Sequence, residues 1–409
     1  MFRKYSISVY FAAKEENRFM EENIVNHQTK QRSPSLDIIR CFALFFVVSV
    51  HFFLNNGYYN ETIAGTHMYI MTVMRSFFMI CVPLFIVLSG YLMCNKTISK
   101  SYYKKLVYTV SIYFLASVCC FLYKGFVLNQ SLSLFEFFHG FFGYFDAPYA
   151  WYVEMYIGLF LMCPFLNLIY NNLNSQQDKK RLLGTFLLIT ALPNVTNIFV
   201  FDIAWFLSPS VSTDYFKIVP AYWVILYPVT YYFIGCYLRE YKLKLSCKTL
   251  LCLSILMCFI NGTFNYYRSY NNWFVWGIWQ EHGSLPVVIQ TVLFFAFWDN
   301  MKYTRVSARV SRHLAKISDL CFGAYLVSWI FDDIFYKALN RYVPTVQLRL
   351  YYYPLIVPLV YICSLFMSFI INKIYNMLAK LISHNGKQRD RVSECGDSLP
   401  EPVCPKDYT

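Results

Sequence analysis

From residue 36 onward the chain alternates long apolar stretches with short polar connections. The stretches fall at 36–54, 70–93, 107–123, 151–171, 183–201, 218–238, 249–263, 284–299, 318–336 and 351–374. Each lies near the about 20 residues that an α-helix needs to cross a bilayer. The shortest two, 249–263 and 284–299, draw on flanking aromatics such as Tyr266 and Trp279 to reach that length. The pattern predicts an all-α polytopic membrane protein of about ten transmembrane helices. Residues 1–34 are polar and hold no apolar run of the signal-peptide kind, so a cytoplasmic N-terminal segment is expected there. Residues 379–409, with mixed charges and Pro400, Pro402 and Pro405, read as a disordered cytoplasmic tail.

Composition narrows the class. Hydrophobic residues make up 57 % and charged ones 14 % of the 409, with a mean hydropathy of +0.39; a soluble chain carries about 25 % charge. Disorder, coiled coil and a secreted disulfide scaffold are excluded together. The 14 cysteines include Cys41, Cys81, Cys119, Cys120, Cys163 and Cys363 inside apolar runs, and no C-x-x-C pair occurs. They read as small core residues, with neither a metal site nor a resident cofactor implied.

The net charge of +13 gives no reason to expect a nucleic-acid partner, because the basic residues form neither a basic helix nor an RNA-type aromatic motif. They sort instead by connection. The segments on the N-terminal side carry 28 Lys and Arg, counting Lys373 at the edge of the last stretch; the opposite side carries Lys124, Lys217, Arg268, Lys337, Arg341 and Arg349. That bias places both termini in the cytoplasm. Two basic residues remain, Arg40 and Arg75, and both lie within spans. The connections 124–150 and 264–283, rich in aromatics and glycine, are expected to form half-buried interfacial segments.

Arginine in the hydrocarbon region is costly unless it faces the bundle interior or water. Arg40 and His51 are eleven residues apart, within about 20° of three full turns, so they share one stripe of the first helix about 16 Å apart along its axis. Singly, each has a plain reading: Arg40 as a snorkelling anchor paired with Asp37, His51 as a hydrogen-bonded interfacial histidine. Together they favour function. A neutral imidazole accepts a proton from a hydroxyl, and a guanidinium suits a phosphate-bearing ligand.

These residues also carry a resemblance. Ser35-Leu36-Asp37-Ile38-Ile39-Arg40 with His51 resembles the first helix of acyltransferase family 3, membrane O-acyltransferases whose signature is Arg, ten residues, His. Val82-Pro83-Leu84-Phe85 with Ser89-Gly90-Tyr91 resembles its second span, and Tyr102-Tyr103-Lys104-Lys105-Leu106 its basic entry into the third. Trp151-Tyr152 with Tyr156, Gly158, Leu159 and Pro164, then Gly235-Cys236-Tyr237-Leu238, then Phe322-Gly323-Ala324-Tyr325-Leu326 follow in the family order. The resemblance covers about residues 34–375, the bulk of a transmembrane domain drawn at 35–378. Two departures stand out. The family's Arg-x-x-Arg pair is replaced by Lys104 and Lys105, and the ninth-span motif ends in Ser328 where relatives have His.

The resemblance implies an acyltransferase of the cell's cytoplasmic (inner) membrane. It would move an acyl group, most often acetyl, from acyl-CoA as donor co-substrate to a hydroxyl of a cell-surface or lipid-linked carbohydrate. Arg40, Lys104 and Lys105 would hold the CoA phosphates; His51 would take the hydroxyl proton. On the acceptor side the candidates are Arg75, Trp151, Tyr152, Glu154 and Asp332. Plain alternatives stand beside each: an Arg75–Glu154 ion pair, aromatic-belt roles for Trp151 and Tyr152, and interfacial carboxylates at Asp332 and Asp333. Glu154 is also placed to orient His51, and Ser89-Gly90-Tyr91 to permit close helix packing. The competing class is a membrane exporter of a small acyl compound or polysaccharide intermediate, since intramembrane charge also marks permeation pathways. A transporter of two related halves is disfavoured, because Pro83, Pro164, Pro193, Pro228 and Pro358 show no two-fold pattern.

Overall fold

The computed structural model describes residues 32–130, 133–198, 207, 216–303 and 306–396, with side chains to 381. Among them the chain is helical throughout, with no strand and a single isolated bridge between Ile63 and Tyr270. The main helices are α1 (Pro34–Asn55), α2 (Gly65–Phe78), α3 (Cys81–Met93), α4 (Lys100–Phe126), α5 (Leu134–Phe142) and α6 (Trp151–Asn171). They continue with α7 (Gln176–Thr190), α8 (Tyr227–Glu240), α9 (Cys247–Ser269), α10 (Leu285–Asn300), α11 (Ala308–Tyr342) and α12 (Tyr353–Gly396). Serines cap five of them: Ser99, Ser133, Ser175, Ser246 and Ser307 each accept a backbone N–H of the first turn.

Seven segments are long and apolar enough to cross a bilayer: Pro34–Asn60, Gly65–Met93, Lys100–Phe126, Trp151–Asn171, Cys247–Ser269, Ala308–Tyr342 and Val346–Leu381. Three of the ten expected spans correspond to shorter helices, α7, α8 and α10, of 15, 14 and 16 residues. Proline sets their limits. Pro228 and Pro286 stand in the first turns of α8 and α10, where a missing N–H is tolerated. Pro193 starts a separate turn just after α7. The end of the stretch 183–201 lies outside the described residues, as do 1–31 and 397–409 of the expected cytoplasmic ends. Of the tail expected to be disordered, the first part is instead helical, because α12 runs on to Gly396.

The expected second span is broken into α2 and α3 at Met79–Ile80. Pro83, three residues into α3, cannot bond the carbonyl four residues back, that of Met79. His282 Nδ1 contacts that oxygen at 2.9 Å instead. The same device recurs in α6. Pro164 frees the Phe160 carbonyl, and the Tyr102 hydroxyl donates to it at 2.6 Å. Neighbouring side chains of this kind let proline persist in a membrane helix.

From Ser35 the chain packs as one unit, with α11 against α12 and α4, α3 against α8, and α9 against α2 and α10. Gly90 of α3 and Gly235 of α8 face one another. A Cβ on Gly90 would overlap the Tyr232 carbonyl, and one on Gly235 the Val87 carbonyl, so small residues here permit close backbone approach. In the connection 124–150, α5 exposes Leu134, Phe135, Phe138 and Phe142 while burying Phe137, the two-faced profile of an interfacial helix.

Candidate active site

Four side chains meet at the Asn55 end of α1. His51 is 9 % exposed, and Asp332 of α11 is completely buried. His51 Nδ1 lies 3.3 Å from Asp332 Oδ2, an electrostatic contact without the alignment of a hydrogen bond. Tyr149, in the connection before α6, donates its hydroxyl to the same Oδ2 at 2.9 Å. Its ring covers the imidazole, with centroids 3.7 Å apart. Asn55, one turn beyond His51, donates Nδ2 to the His51 carbonyl at 2.8 Å and to the Tyr149 hydroxyl at 3.2 Å. Asn340 of α11 in turn donates to the Asn55 carbonyl at 2.9 Å.

A fully buried carboxylate is unfavourable unless it is paired or hydrogen-bonded. Asp332 has the Tyr149 hydroxyl and the imidazole edge on one oxygen, while Oδ1 has no partner among the described residues. A proton on Nδ1, the nitrogen that faces the carboxylate, would leave Nε2 as the acceptor. The arrangement presents a proton-accepting nitrogen oriented from behind by an anion.

At the other end of the stripe, Arg40 donates Nη1 to Ser318 Oγ at 2.6 Å and lies 3.5 Å from Asp37 Oδ1. It lines a cavity of about 520 Å³ with Lys105, Ser89, Ser318 and Asp319 at its polar positions. Val47, on the Arg40–His51 stripe, also lines it, as do Tyr152 and Tyr325. The Tyr325 hydroxyl donates to the Tyr149 carbonyl. One aromatic layer therefore joins the cavity wall to the His51 cluster.

The other sequence candidates separate. Lys105 faces the cavity, whereas Lys104 is exposed and does not. Asp332, expected as an acceptor ligand, is the carboxylate beside His51. Glu154 is exposed and touches neither Arg75 nor His51, so the expected Arg75–Glu154 ion pair is absent. Arg75 is buried in an aromatic cage instead, with Phe274, Trp276 and Tyr59 rings 4.7, 5.5 and 6.0 Å from its guanidinium carbon. Trp151 stacks on His282 with centroids 6.0 Å apart. Asp333 accepts from the Tyr123 hydroxyl and Lys337. Ser328 donates to the Tyr325 carbonyl in its own helix, one turn before Asp332. Tyr149, Asn55 and Ser318 were not singled out by sequence. Only Asn55, one turn past His51 in a helix pattern, offered a signal.

An imidazole backed by a buried carboxylate, within a bundle of apolar helices, equips a membrane protein for proton-transfer chemistry. The comparison with known families agrees. Residues 33–373 match the model of acyltransferase family 3, described as an acyltransferase domain, and the chain belongs to that family. No curated protein and no solved structure matches it. The protein is a multi-pass membrane acyltransferase.

Proposed function

We propose that the protein transfers an acyl group, acetyl in the first instance, from acyl-CoA to a hydroxyl of a cell-surface or lipid-linked carbohydrate. The observation that supports this most directly is the His51–Asp332 pair, one aromatic layer from a cavity lined by Arg40 and Lys105. In this reading the Arg40 end and both termini face the cytoplasm, in the cytoplasmic membrane, with bilayer lipid around the bundle. Arg40 and Lys105 hold CoA phosphates at the cavity mouth. The about 16 Å between Arg40 and His51 suits the reach of an extended pantetheine arm.

His51 Nε2 takes the proton of the acceptor hydroxyl as its oxygen attacks the thioester carbonyl. The tetrahedral intermediate collapses by breaking the carbon–sulfur bond. The departing thiolate then receives the proton from the imidazolium, giving ester and free CoA thiol. Asp332 stabilises the transient imidazolium and holds the ring. Trp151 offers an aromatic face on the acceptor side, next to Tyr152 in the cavity wall.

The test is acyl transfer in membranes supplied with acetyl-CoA, read as an acetyl mass increment on the glycan fraction. His51→Ala is expected to abolish the increment while leaving protein level and membrane insertion intact. Full modification by His51→Ala would refute the assignment.

A further inference from the structure

The surroundings of Arg75 leave one of its buried donors without a partner among the described residues. Arg75 lies on α2 and is 2 % exposed. Its guanidinium packs against the rings of Phe274, Trp276 and Tyr59. Its one hydrogen bond among the described residues runs from Nε to the Tyr59 hydroxyl, at 3.2 Å. Nη1 is buried and has no partner, and no carboxylate pairs with Arg75 among the described residues.

Arg349 gives the contrast within the same molecule. It donates Nε to the Val343 carbonyl, Nη1 to Asn56 and Nη2 to Pro344, at 2.7, 2.6 and 3.0 Å. That is an arginine used to pin chain segments together. Arg75 is near a junction of the same kind, where Ile63 N–H donates to the Asn272 carbonyl, yet it holds none of the junction's carbonyls. Aromatic rings can compensate the charge through the face of the guanidinium. They cannot satisfy the in-plane N–H donors, whose fork geometry matches a carboxylate or a phosphate.

Trp276 is 62 % exposed and lies on Tyr59 with centroids 4.6 Å apart, a cap over the guanidinium. From this site rings lead to the helix that carries His51: Tyr59 touches Tyr58, and Tyr58 touches Phe53 of α1, two residues beyond His51.

We infer that Arg75, under Trp276, is the oxyanion-binding residue of the acceptor site, so that the preferred acceptor is a carbohydrate bearing a carboxylate or phosphate. The word acceptor rests on the acyltransferase reading; the oxyanion site does not. The test measures binding to the full-length protein in nanodiscs by calorimetry, with methyl β-D-glucuronide, glucose 1-phosphate and neutral methyl β-D-glucoside as probes. At least one anion is expected to bind about 10-fold or more tightly than the neutral glucoside, the size of one charge-assisted hydrogen bond. The tighter anion identifies carboxylate or phosphate as the natural group.

Arg75→Gln should reduce the anions to the level of the neutral sugar, while Arg75→Lys keeps part of the preference and His51→Ala keeps all of it. Should Arg75→Gln fail to fold, Arg75→Lys decides, measured with the Arg40–Lys105 cavity saturated by CoA: a reduced anion preference supports the site and an unreduced one overturns it. Equal affinity of the wild type for all three probes, or an anion preference that survives in Arg75→Gln, overturns the site. Anion binding without His51-dependent acyl transfer would refute the acyltransferase reading and leave the site standing.

Discussion

His51 Nδ1 and Asp332 Oδ2 approach to 3.3 Å although they lie on the first and the eleventh of the helices described. This contact gives the first prediction. Asp332→Asn preserves shape but removes the charge that stabilises the imidazolium and favours the Nε2-acceptor tautomer. Acyl transfer should fall by about 10²-fold or more in kcat, with acyl-CoA KM little changed. Because the two residues act as a unit, the double variant His51→Ala/Asp332→Asn should be no slower than His51→Ala alone. Additive losses would show that Asp332 acts elsewhere.

Tyr149 supports the same carboxylate through one hydrogen bond. Tyr149→Phe keeps the ring stacked on His51 and removes that bond. A hydrogen bond to a charged group contributes about 1.5–3 kcal/mol, so a rate loss of about 10- to 100-fold is expected, without loss of folded protein. Steady-state kinetics beside a detergent thermal-shift measurement checks both parts.

How much of this was readable beforehand follows from the physics of each element. The Arg40–His51 stripe was legible because both residues sit on one helix, where spacing alone fixes the face. Asp332 was legible as a carboxylate near the end of an apolar stretch, an acceptor ligand or an interfacial group, but not as the buried neighbour of His51, because no local pattern reports which side chains meet across a tertiary contact. Tyr149 precedes α6 and belongs to no periodic run. The Arg75 cage was invisible for a similar reason: Phe274 and Trp276 come from a connection nearly 200 positions away. Counting apolar stretches also overstated one helix, because the stretch 218–238 ran through Pro228, at which α8 starts.

The donor side separates two adjacent lysines. Lys105 lines the cavity and Lys104 is exposed outside it. Lys105→Ala should raise the acyl-CoA KM several-fold, whereas Lys104→Ala should stay within about two-fold of wild type. Arg40→Lys should raise KM by about 10-fold despite keeping the charge, because the planar fork that now reaches Ser318 is lost. Equal effects of the two lysine substitutions would refute the cavity as the CoA site.

The α3–α8 crossing depends on a missing side chain. A Cβ at position 90 would meet the carbonyl of Tyr232, a backbone atom that cannot swing aside. Gly90→Ala should therefore destabilise the bundle by about 1–3 kcal/mol or more, seen as a lower melting temperature and yield in detergent. Ser89→Ala, at a position lining the cavity, should leave stability within about 0.5 kcal/mol of wild type.

Acid should weaken one joint more than the rest. His282 lies between α9 and α10, and burial, helped by the positive charge of Arg75, lowers its pKa to about 4. In the unfolded chain the same imidazole titrates near about 6.5. Between these values the unfolded state binds the proton and the folded state does not, so stability falls as pH drops from about 6.5 towards 4. The linkage amounts to about 1–3 kcal/mol across that window. His282→Asn can still donate to the Met79 carbonyl freed by Pro83 but cannot titrate. The difference in melting temperature between wild type and His282→Asn should therefore grow in favour of the variant from pH 6.5 to pH 4.5. A difference independent of pH would mean that His282 is not the group responsible.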